Sequence, residues 1–260
     1  MISRRHFTAM LTLAAPAALA GCFTPRGLQP VPEDTKRDLA ALGLSVGARI
    51  FVRIFKQENQ MQVWVRNRAA SYTLFRTYPI CKWSGNLGPK QREGDRQAPE
   101  GFYVVSARQM NPNSKYYLSF NLGYPNAYDK AHGHTGSFLM VHGGCRSAGC
   151  YAITDDAIKE LFILGREAFR SGQKDFPVHA FPFRMSAANM ALHAASPWLD
   201  FWRNLKEGYD MFERTHVPPV VAVRNGRYIF FPDMEAIPQD VHTAMLAGEP
   251  DAPVLIQGMK

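Results

Sequence analysis

The chain has 260 residues, of which 46% are hydrophobic, and its formal net charge is +8 at pH 7. This length and apolar content suffice for one sizeable domain plus an extension, and no internal repeat or long charge run indicates a repeat array or a charged tail. Residues 1–21 contain two arginines and no acidic residue, so the chain without them has a charge of +6. A basic balance of this size is compatible with nucleic acid or with carboxylate-bearing peptides as partners.

The N-terminus has the pattern of an export signal. The pair Arg4-Arg5 follows Ser3 and is typical of the twin-arginine route, and the apolar stretch 9–20 is too short to span a bilayer. That stretch ends in Leu19-Ala20-Gly21-Cys22, which resembles a lipoprotein processing box with Cys22 as the lipidated residue. We therefore expect residues 1–21 to be a signal peptide and the mature protein to be an acyl-anchored lipoprotein facing the periplasm. Export argues against nucleic acid as a partner.

A tether and then a β-rich region follow the signal. Residues 22–47 are Pro-rich and polar, with a weak helical pattern from Asp34 to Leu42, and predict a tether between membrane and domain. Residues 49–55 and 61–65 alternate around Glu58-Asn59, which predicts a β-hairpin. Residues 84–101 are rich in Gly, Pro and charge and predict a long surface loop, a kind of segment that tends to be functional. Further strands are predicted at 72–81, 102–107, 117–121 and 137–141.

Helices dominate the second half of the chain. Thr154 is a predicted N-cap, with Asp155 and Asp156 well placed against the helix dipole, and Ser171-Gly172 ends the helix. Its apolar face comprises Ile158, Leu161, Phe162 and Phe169.

Beyond Arg184, Ser186 and Ser196-Pro197 predict two further helix starts. An aromatic stripe at helical spacing follows, and packing explains it better than a ligand site. Asn225-Gly226 predicts a tight hairpin between residues 220–224 and 227–231. The stripe consists of Trp198, Phe201, Trp202, Leu205, Tyr209 and Phe212.

The most informative stretch lies between these regions, at residues 138–153. A strand-like run delivers His142, and a loop of small residues leads to Cys150, so that two thiols, three glycines and one histidine fall within nine residues. A free thiol is mostly protonated at neutral pH, and an imidazole within hydrogen-bond reach raises its thiolate fraction. Glycines permit close approach of a substrate and turn amide N–H groups toward an oxyanion. This pattern favours nucleophilic thiol chemistry over a buried thiol and a core histidine.

The same stretch carries a family resemblance. Ser147-Ala148-Gly149-Cys150 is similar to the S-x-G-C signature of the L,D-transpeptidase catalytic domain (the YkuD type), and His142-Gly143 is similar to its preceding H-G. Residues 98–105 and 122–126 resemble further segments of that family, and residues 201–209 resemble its YafK-like branch of murein enzymes. The resemblance extends roughly from Ala48 to Arg227. The sequence departs from the wider family in its short histidine-to-cysteine spacing and in Ala148, Tyr151 and Ala152.

The resemblance implies a fold and a division of the chain. The expected class is α+β and mostly β, a YkuD-like catalytic domain over residues 48–184. Residues 185–260 are expected to form an extension of helices and a β-hairpin packed on that domain.

It also implies a chemistry. Cys150 is expected to attack the carbonyl at the L-centre of meso-diaminopimelate in a murein stem peptide, with His142 as its base, and to form a thioester. The expected oxyanion donors are the backbone N–H groups of Gly149 and Cys150, while the carbonyl of Gly143 or Gly144 orients the imidazole. Ser147 is expected to form a hydrogen bond within the loop.

Substrate contacts are assigned to Arg146, Tyr124 and His134, and no cofactor is expected. The branch resemblance favours water as the acceptor, which makes the enzyme an amidase that detaches a murein-linked lipoprotein. The alternative is a true L,D-transpeptidase that forms crosslinks or attaches proteins in cell wall biogenesis.

The remaining cysteines leave alternatives open. With Cys22 acylated and Cys150 as nucleophile, Cys81 and Cys145 either pair as a disulfide or stay as free thiols, or Cys145 acts as a regulatory partner of Cys150. A rival hypothesis places zinc at this loop, and another makes the domain an inactive murein-binding lipoprotein, which the presence of both His142 and Cys150 disfavours. The zinc hypothesis uses His132, His134, His142, Cys145 and Cys150.

Overall fold

A computed structural model describes residues 24–249 and 252–256. The twin-arginine pair and the processing box with Cys22 lie outside the described residues. Within that part of the chain, every helix is too short or too polar to cross a bilayer.

The strands of the described chain form three sheets. They are β1 (Ile50–Phe55), β2 (Gln60–Arg66), β3 (Tyr72–Pro79), β4 (Gly101–Ser106), β5 (Met110–Asn111), β6 (Ser119–Asn121), β7 (Met140–His142), β8 (Tyr151–Ala152), β9 (Asp175–Phe181), β10 (Val220–Arg224), β11 (Arg227–Phe231) and β12 (Val254–Leu255). The helices are α1 (Glu33–Ala41), α2 (Ala127–Ala131), α3 (Asp155–Arg170), α4 (Ala187–Leu192), α5 (Leu199–Thr215) and α6 (Gln239–Ala247).

The central sheet has the strand order β3-β2-β1-β9-β4, in which β1 and β9 run parallel and the other pairs antiparallel. Every residue of β1 is buried, because the sheet is covered on both faces. Side chains alternate across a strand, so Ile50, Val52 and Ile54 join one core together with α3, whereas Phe55 joins a second core. The predicted hairpin of β1 and β2 is confirmed.

A smaller sheet, β5-β6-β7-β8, positions the stretch singled out by the sequence. Strands β7 and β8 are short and parallel, and residues 143–150 connect them. Helix α3 follows β8 after Thr154, whose hydroxyl accepts the Ala157 N–H as the predicted N-cap. The loop is therefore held between two strand ends and the start of a helix.

The C-terminal region packs on the other face of the central sheet. Helix α5 contributes Phe201, Trp202 and Leu205 to the second core, where they meet Phe102 and Phe181 of the central strands. Strands β10 and β11 form the hairpin predicted at Asn225-Gly226. The predicted α+β, mostly β fold with C-terminal helices and a hairpin is confirmed.

The segment predicted as a tether is partly built into the fold. Helix α1 lies within it, and Leu39 and Leu44 are buried in the first core. Thr35 donates a hydrogen bond of 2.7 Å to Glu160 on α3, and Asp38 pairs with Arg76 at 2.6 Å. The described part of the segment is thus docked on the domain instead of linking freely.

A buried ion pair ties the long loop to both cores. Lys56 Nζ lies 2.8 Å from Glu100 Oε1, and both side chains are fully buried. The ammonium also donates to the carbonyls of Asn86, Gly88 and Ala98, while Glu100 Oε2 accepts the indole N–H of Trp202 on α5 at 2.8 Å. Burial lowers the pKa of Lys56, and the Glu100 carboxylate opposes that shift. The long loop predicted at residues 84–101 is therefore held in place by hydrogen bonds from its backbone carbonyls to the Lys56 ammonium.

We expect Glu100→Gln to reduce the free energy of unfolding by about 3 kcal/mol, because it leaves the buried Lys56 ammonium without its counter-charge. Urea denaturation followed by circular dichroism measures the change. Glu33→Gln is the matched control: Glu33 pairs with Lys36 at 2.7 Å on the surface, and its loss should cost no more than about 0.5 kcal/mol. Equal effects for the two variants would contradict a structural role for the buried pair.

Candidate active site

His142 ends β7 with its imidazole held in one orientation. Its Nδ1 lies 2.6 Å from the carbonyl oxygen of Gly143, and the side chain is buried. A carbonyl can only accept, so Nδ1 carries the proton and the neutral ring keeps its lone pair on Nε2. The carbonyl of Gly143 or Gly144 was predicted to orient the imidazole, and in the structure the carbonyl of Gly143 forms this hydrogen bond.

Cys150 lies on the neighbouring strand end. His142 is paired with Ala152 across the parallel β7–β8 ladder, and Cys150 directly precedes β8, beside Met140 of β7. The Cys150 sulfur accepts the Met140 N–H at 3.4 Å and lies 3.8 Å from the Phe138 carbonyl oxygen. Cys150 is the free cysteine of the described residues.

The other two described cysteines form a disulfide, Cys81–Cys145, which settles the alternatives left open by the sequence. Cys81 also donates its N–H to the Ala152 carbonyl at 3.0 Å, so the middle of the loop is fastened to the chain beside β8. The zinc hypothesis is wrong, because the Cys145 sulfur is bonded to Cys81 and cannot act as a thiolate ligand. Consistently, the described residues contain no group of three metal-ligating side chains.

Two serine side chains form hydrogen bonds with the backbone of the loop that ends at Cys150. The Ser147 hydroxyl donates to the Cys150 carbonyl at 2.7 Å, which is the hydrogen bond within the loop that the sequence led us to expect. Ser84, from the long loop after β3, lies 3.2 Å from Ser147 Oγ and accepts the Gly149 N–H at 2.6 Å. Sequence reasoning missed Ser84, which is 65 residues away from Gly149 along the chain.

The assignment of Gly149 as an oxyanion donor needs correction. Its N–H is already engaged by Ser84, so it is not directed at a substrate in this structure. The N–H of Cys150 has no acceptor among the residues that the structure describes. Gly149 serves instead through its conformation, with φ of +116°, a value that favours glycine.

Gly143 lies where the loop meets its neighbours. Its N–H approaches the carbonyls of Tyr116 and Leu118 at 3.1 and 3.2 Å. A Cβ at this position would lie 2.8 Å from the Tyr116 carbonyl oxygen, so a larger residue would displace the chain. The next amide, Gly144 N–H, donates to Asp155 at the start of α3 at 2.9 Å.

An aromatic ring covers the imidazole. Tyr116 stacks on His142 with ring centroids 4.6 Å apart and planes inclined by 24°. The exposed Lys115 ammonium lies 5.2 Å from the Tyr116 centroid. Sequence reasoning missed both residues, because nothing in the run from Ser114 to Tyr117 marks one tyrosine as the partner of a histidine 26 positions later.

Burial shifts both titrating groups toward their neutral forms. It lowers the pKa of His142, an effect that the Gly143 carbonyl opposes and the Lys115 charge reinforces. It raises the pKa of the Cys150 thiol, while the Met140 N–H and the Lys90 charge act in the opposite direction. The resting site therefore holds a thiol and a neutral imidazole, so the imidazole is in the form that accepts a proton.

The three residues assigned to substrate contacts have different surroundings. Tyr124 is buried and donates its hydroxyl to the Lys90 carbonyl at 3.1 Å, so a structural role replaces the predicted substrate contact. His134 is half-buried, with Nδ1 3.3 Å from Asp129 Oδ1. Arg146 is exposed at the rim of the loop and forms no ion pair with another described residue, so its guanidinium is available to a carboxylate.

Comparisons with known proteins show the family of the chain. The L,D-transpeptidase catalytic domain family (YkuD) matches residues 49–167. A protein of Escherichia coli strain K12, provisionally named L,D-transpeptidase YafK, is 47% identical over 200 residues, which are 77% of this chain and 78% of that protein. Its counterpart in Escherichia coli O157:H7 has the same identity and coverage.

Two solved structures are also similar, at lower identity. The helical cell shape determining protein Pgp2 from Campylobacter jejuni has a TM-score of 0.42 and 20% identity, covering 68% of this chain and 65% of its own. Bdellovibrio bacteriovorus Bd1075 has a TM-score of 0.36 and 24% identity, covering 63% and 60%. The chain thus spans less than two thirds of either structure.

Alkylation of Cys150 by iodoacetamide tests the neutral resting pair. Burial raises the thiol pKa, so the alkylation rate should be low at pH 7 and should rise with pH through a midpoint above that of glutathione measured in parallel. A Cys22→Ser protein restricts the reaction to Cys150, because Cys81 and Cys145 are bonded to each other. A midpoint below that of glutathione would indicate a preformed thiolate–imidazolium pair and would contradict this electrostatic description.

Proposed function

The chain belongs to the L,D-transpeptidase catalytic domain family of murein enzymes, and from this premise we propose that Cys150 is its nucleophile and His142 its general base. The observation that carries the proposal is the position of Cys150 beside the strand that ends in His142, where its sulfur accepts the Met140 N–H at 3.4 Å, with His142 Nδ1 engaged by Gly143. Nε2 is then the nitrogen left to take the thiol proton.

In the first step, His142 Nε2 removes the proton from Cys150, and the sulfur attacks the carbonyl carbon at the L-centre of meso-diaminopimelate. The carbonyl oxygen becomes an oxyanion, which the Cys150 N–H stabilises. The imidazolium then gives its proton to the departing amine, the C–N bond breaks and a thioester remains. Exposed Arg146 suits a free carboxylate of the stem peptide, a contact that the thioester step does not require.

In the second step, water resolves the thioester. His142 takes a proton from the water, whose oxygen adds to the acyl carbon, and collapse of the intermediate releases the carboxylate and returns the proton to the sulfur. When the departing amine of the first step is a lysine side chain, the two steps together detach a protein from murein. The resemblance of the sequence to the YafK-like branch supports this hydrolytic role, and the 47% identity to the Escherichia coli protein supports membership of that branch.

Transpeptidation is the second candidate, and the name of the Escherichia coli relative favours it. The first step is unchanged, but an amine of a second stem peptide or of a protein attacks the thioester. The two candidates share Cys150 and His142 and differ only in the acceptor. For either role we propose a periplasmic lipoprotein that is exported through Arg4-Arg5 and anchored at Cys22.

Product analysis distinguishes the acceptors. We expect a diaminopimelate muropeptide that carries a lysine-linked peptide at the L-centre to be cleaved, giving the free peptide and a tripeptide stem. When half of the solvent water is H₂18O, about half of the stem molecules should carry one 18O atom in the new carboxylate, as measured by mass. Addition of an excess of amine acceptor should change the products little. The Cys150→Ala protein is the control and should release no peptide. Crosslinked or amine-capped products in place of the carboxylate would assign the enzyme to transpeptidation.

A further inference from the structure

A groove of about 930 Å³ lies at the end of α3 that is remote from the catalytic loop. The helix begins at Asp155, which binds the Gly144 N–H, and the groove borders its last turns up to Arg170. The walls are largely apolar and come from the N-terminal segment, the chain after β4 and the helix. The larger apolar residues of the lining are Pro25, Leu28, Met110, Pro112, Phe162 and Phe169.

The side chain of Leu28 is exposed to solvent, while the backbone beside it is packed on the domain. It is 66% exposed, an unusual setting for a leucine. Beside it, Gly27 is buried and packs so closely on Pro112 that an added Cβ would lie 2.6 Å from the proline Cβ. The Gly27 carbonyl also accepts a hydrogen bond of 2.7 Å from Arg166 on α3. The segment is thus fixed on the helix with an apolar side chain pointing outward.

Positive charge surrounds this apolar surface. Arg26, Arg166 and Arg170 line the groove, and Glu167 is the acidic residue near them, 2.6 Å from Arg166 and 3.5 Å from Arg170. The guanidinium of Arg26 lies over the Tyr117 ring at 4.8 Å and has no acidic partner among the described residues. Three arginines against one glutamate leave an excess of positive charge at the rim.

The described chain begins beside this groove. Thr24 is the first described residue, and three residues separate Arg26 from Cys22. A fully extended chain covers at most about 3.6 Å per residue, so Cys22 lies within roughly 14 Å of Arg26. If Cys22 carries the acyl anchor of the proposed lipoprotein, the groove is held at the membrane surface.

We propose that the groove and its arginine rim are a docking surface for an anionic phospholipid bilayer. The arginines bind headgroup phosphates, and Leu28 with the apolar lining enters the boundary between headgroups and acyl chains. A basic residue near an anionic membrane strengthens binding about fivefold. This surface orients the enzyme: along α3 the groove extends from Phe162 to Arg170, which at 1.5 Å per residue is about 10 to 22 Å from Asp155 beside the catalytic loop.

The test is co-sedimentation with vesicles, using the chain from residue 22 onward with Cys22→Ser, which has no acyl group and keeps every described residue. We expect at least tenfold tighter binding to phosphatidylglycerol vesicles than to phosphatidylcholine vesicles. Arg26→Glu with Arg170→Glu should abolish that preference, and Leu28→Asp should weaken binding at least threefold.

Matched controls lie on the C-terminal helices. Arg203→Glu with Arg214→Glu makes the same change of charge on α5, and Leu192→Asp replaces a leucine that is 78% exposed. These variants should bind like the parent protein. Equal binding to both kinds of vesicle, or equal losses in the groove and control variants, would overturn the proposal. Thioester formation at Cys150 should be unchanged in the groove variants, so a failure of docking and a failure of the proposed chemistry are separate results.

Discussion

The buried pair of Lys56 and Glu100 is the constraint on which the site depends. An ammonium without water needs a counter-charge and several acceptors, and here three carbonyls of the long loop after β3 supply them. The loop that is wrapped around this cation brings Ser84 to the Gly149 N–H and the Pro99 carbonyl to the Tyr151 hydroxyl at 2.6 Å. Trp202 joins the C-terminal helix to the same carboxylate. The residues on either side of Cys150, Gly149 and Tyr151, are therefore both held by the loop that this ion pair fixes.

The loop that connects β7 and β8 is ordered by contacts outside itself. Its amides bind Ser84 and Asp155, its middle is bonded to Cys81, and Tyr116 covers the histidine at its start. In the loop-closure model, a disulfide that spans 64 residues stabilises the fold by about 4 kcal/mol. The result is a short, pre-organised loop; in the proposed mechanism its Cys150 N–H binds the oxyanion and His142 Nε2 takes the thiol proton. Such pre-organisation is what thioester chemistry requires, because charge develops on the acyl oxygen within a fixed frame.

Local signals in the sequence predicted much of this structure, and distant contacts account for what they missed. The Asn225-Gly226 turn and the Thr154 cap are decided within a few residues, and both predictions are confirmed. The orienting carbonyl at Gly143 is adjacent to His142, so it too was accessible. Ser84 and Tyr116 act across tens of residues without any local mark. Tyr124 was predicted to contact substrate, but it is buried and bonded to Lys90. Both features depend on the folded chain, so the sequence alone did not reveal them.

Intact-mass detection of a thioester adduct with a carbapenem shows which sulfur reacts and whether the histidine assists. The account predicts an adduct on the parent protein, none on Cys150→Ala, and one that forms at least a hundredfold more slowly on His142→Ala, because nucleophile and base act as a unit. Cys145→Ser, which breaks the disulfide and leaves Cys150 in place, should still form the adduct, with reduced resistance to urea. An adduct that persists in Cys150→Ala and disappears in Cys145→Ser would contradict the account.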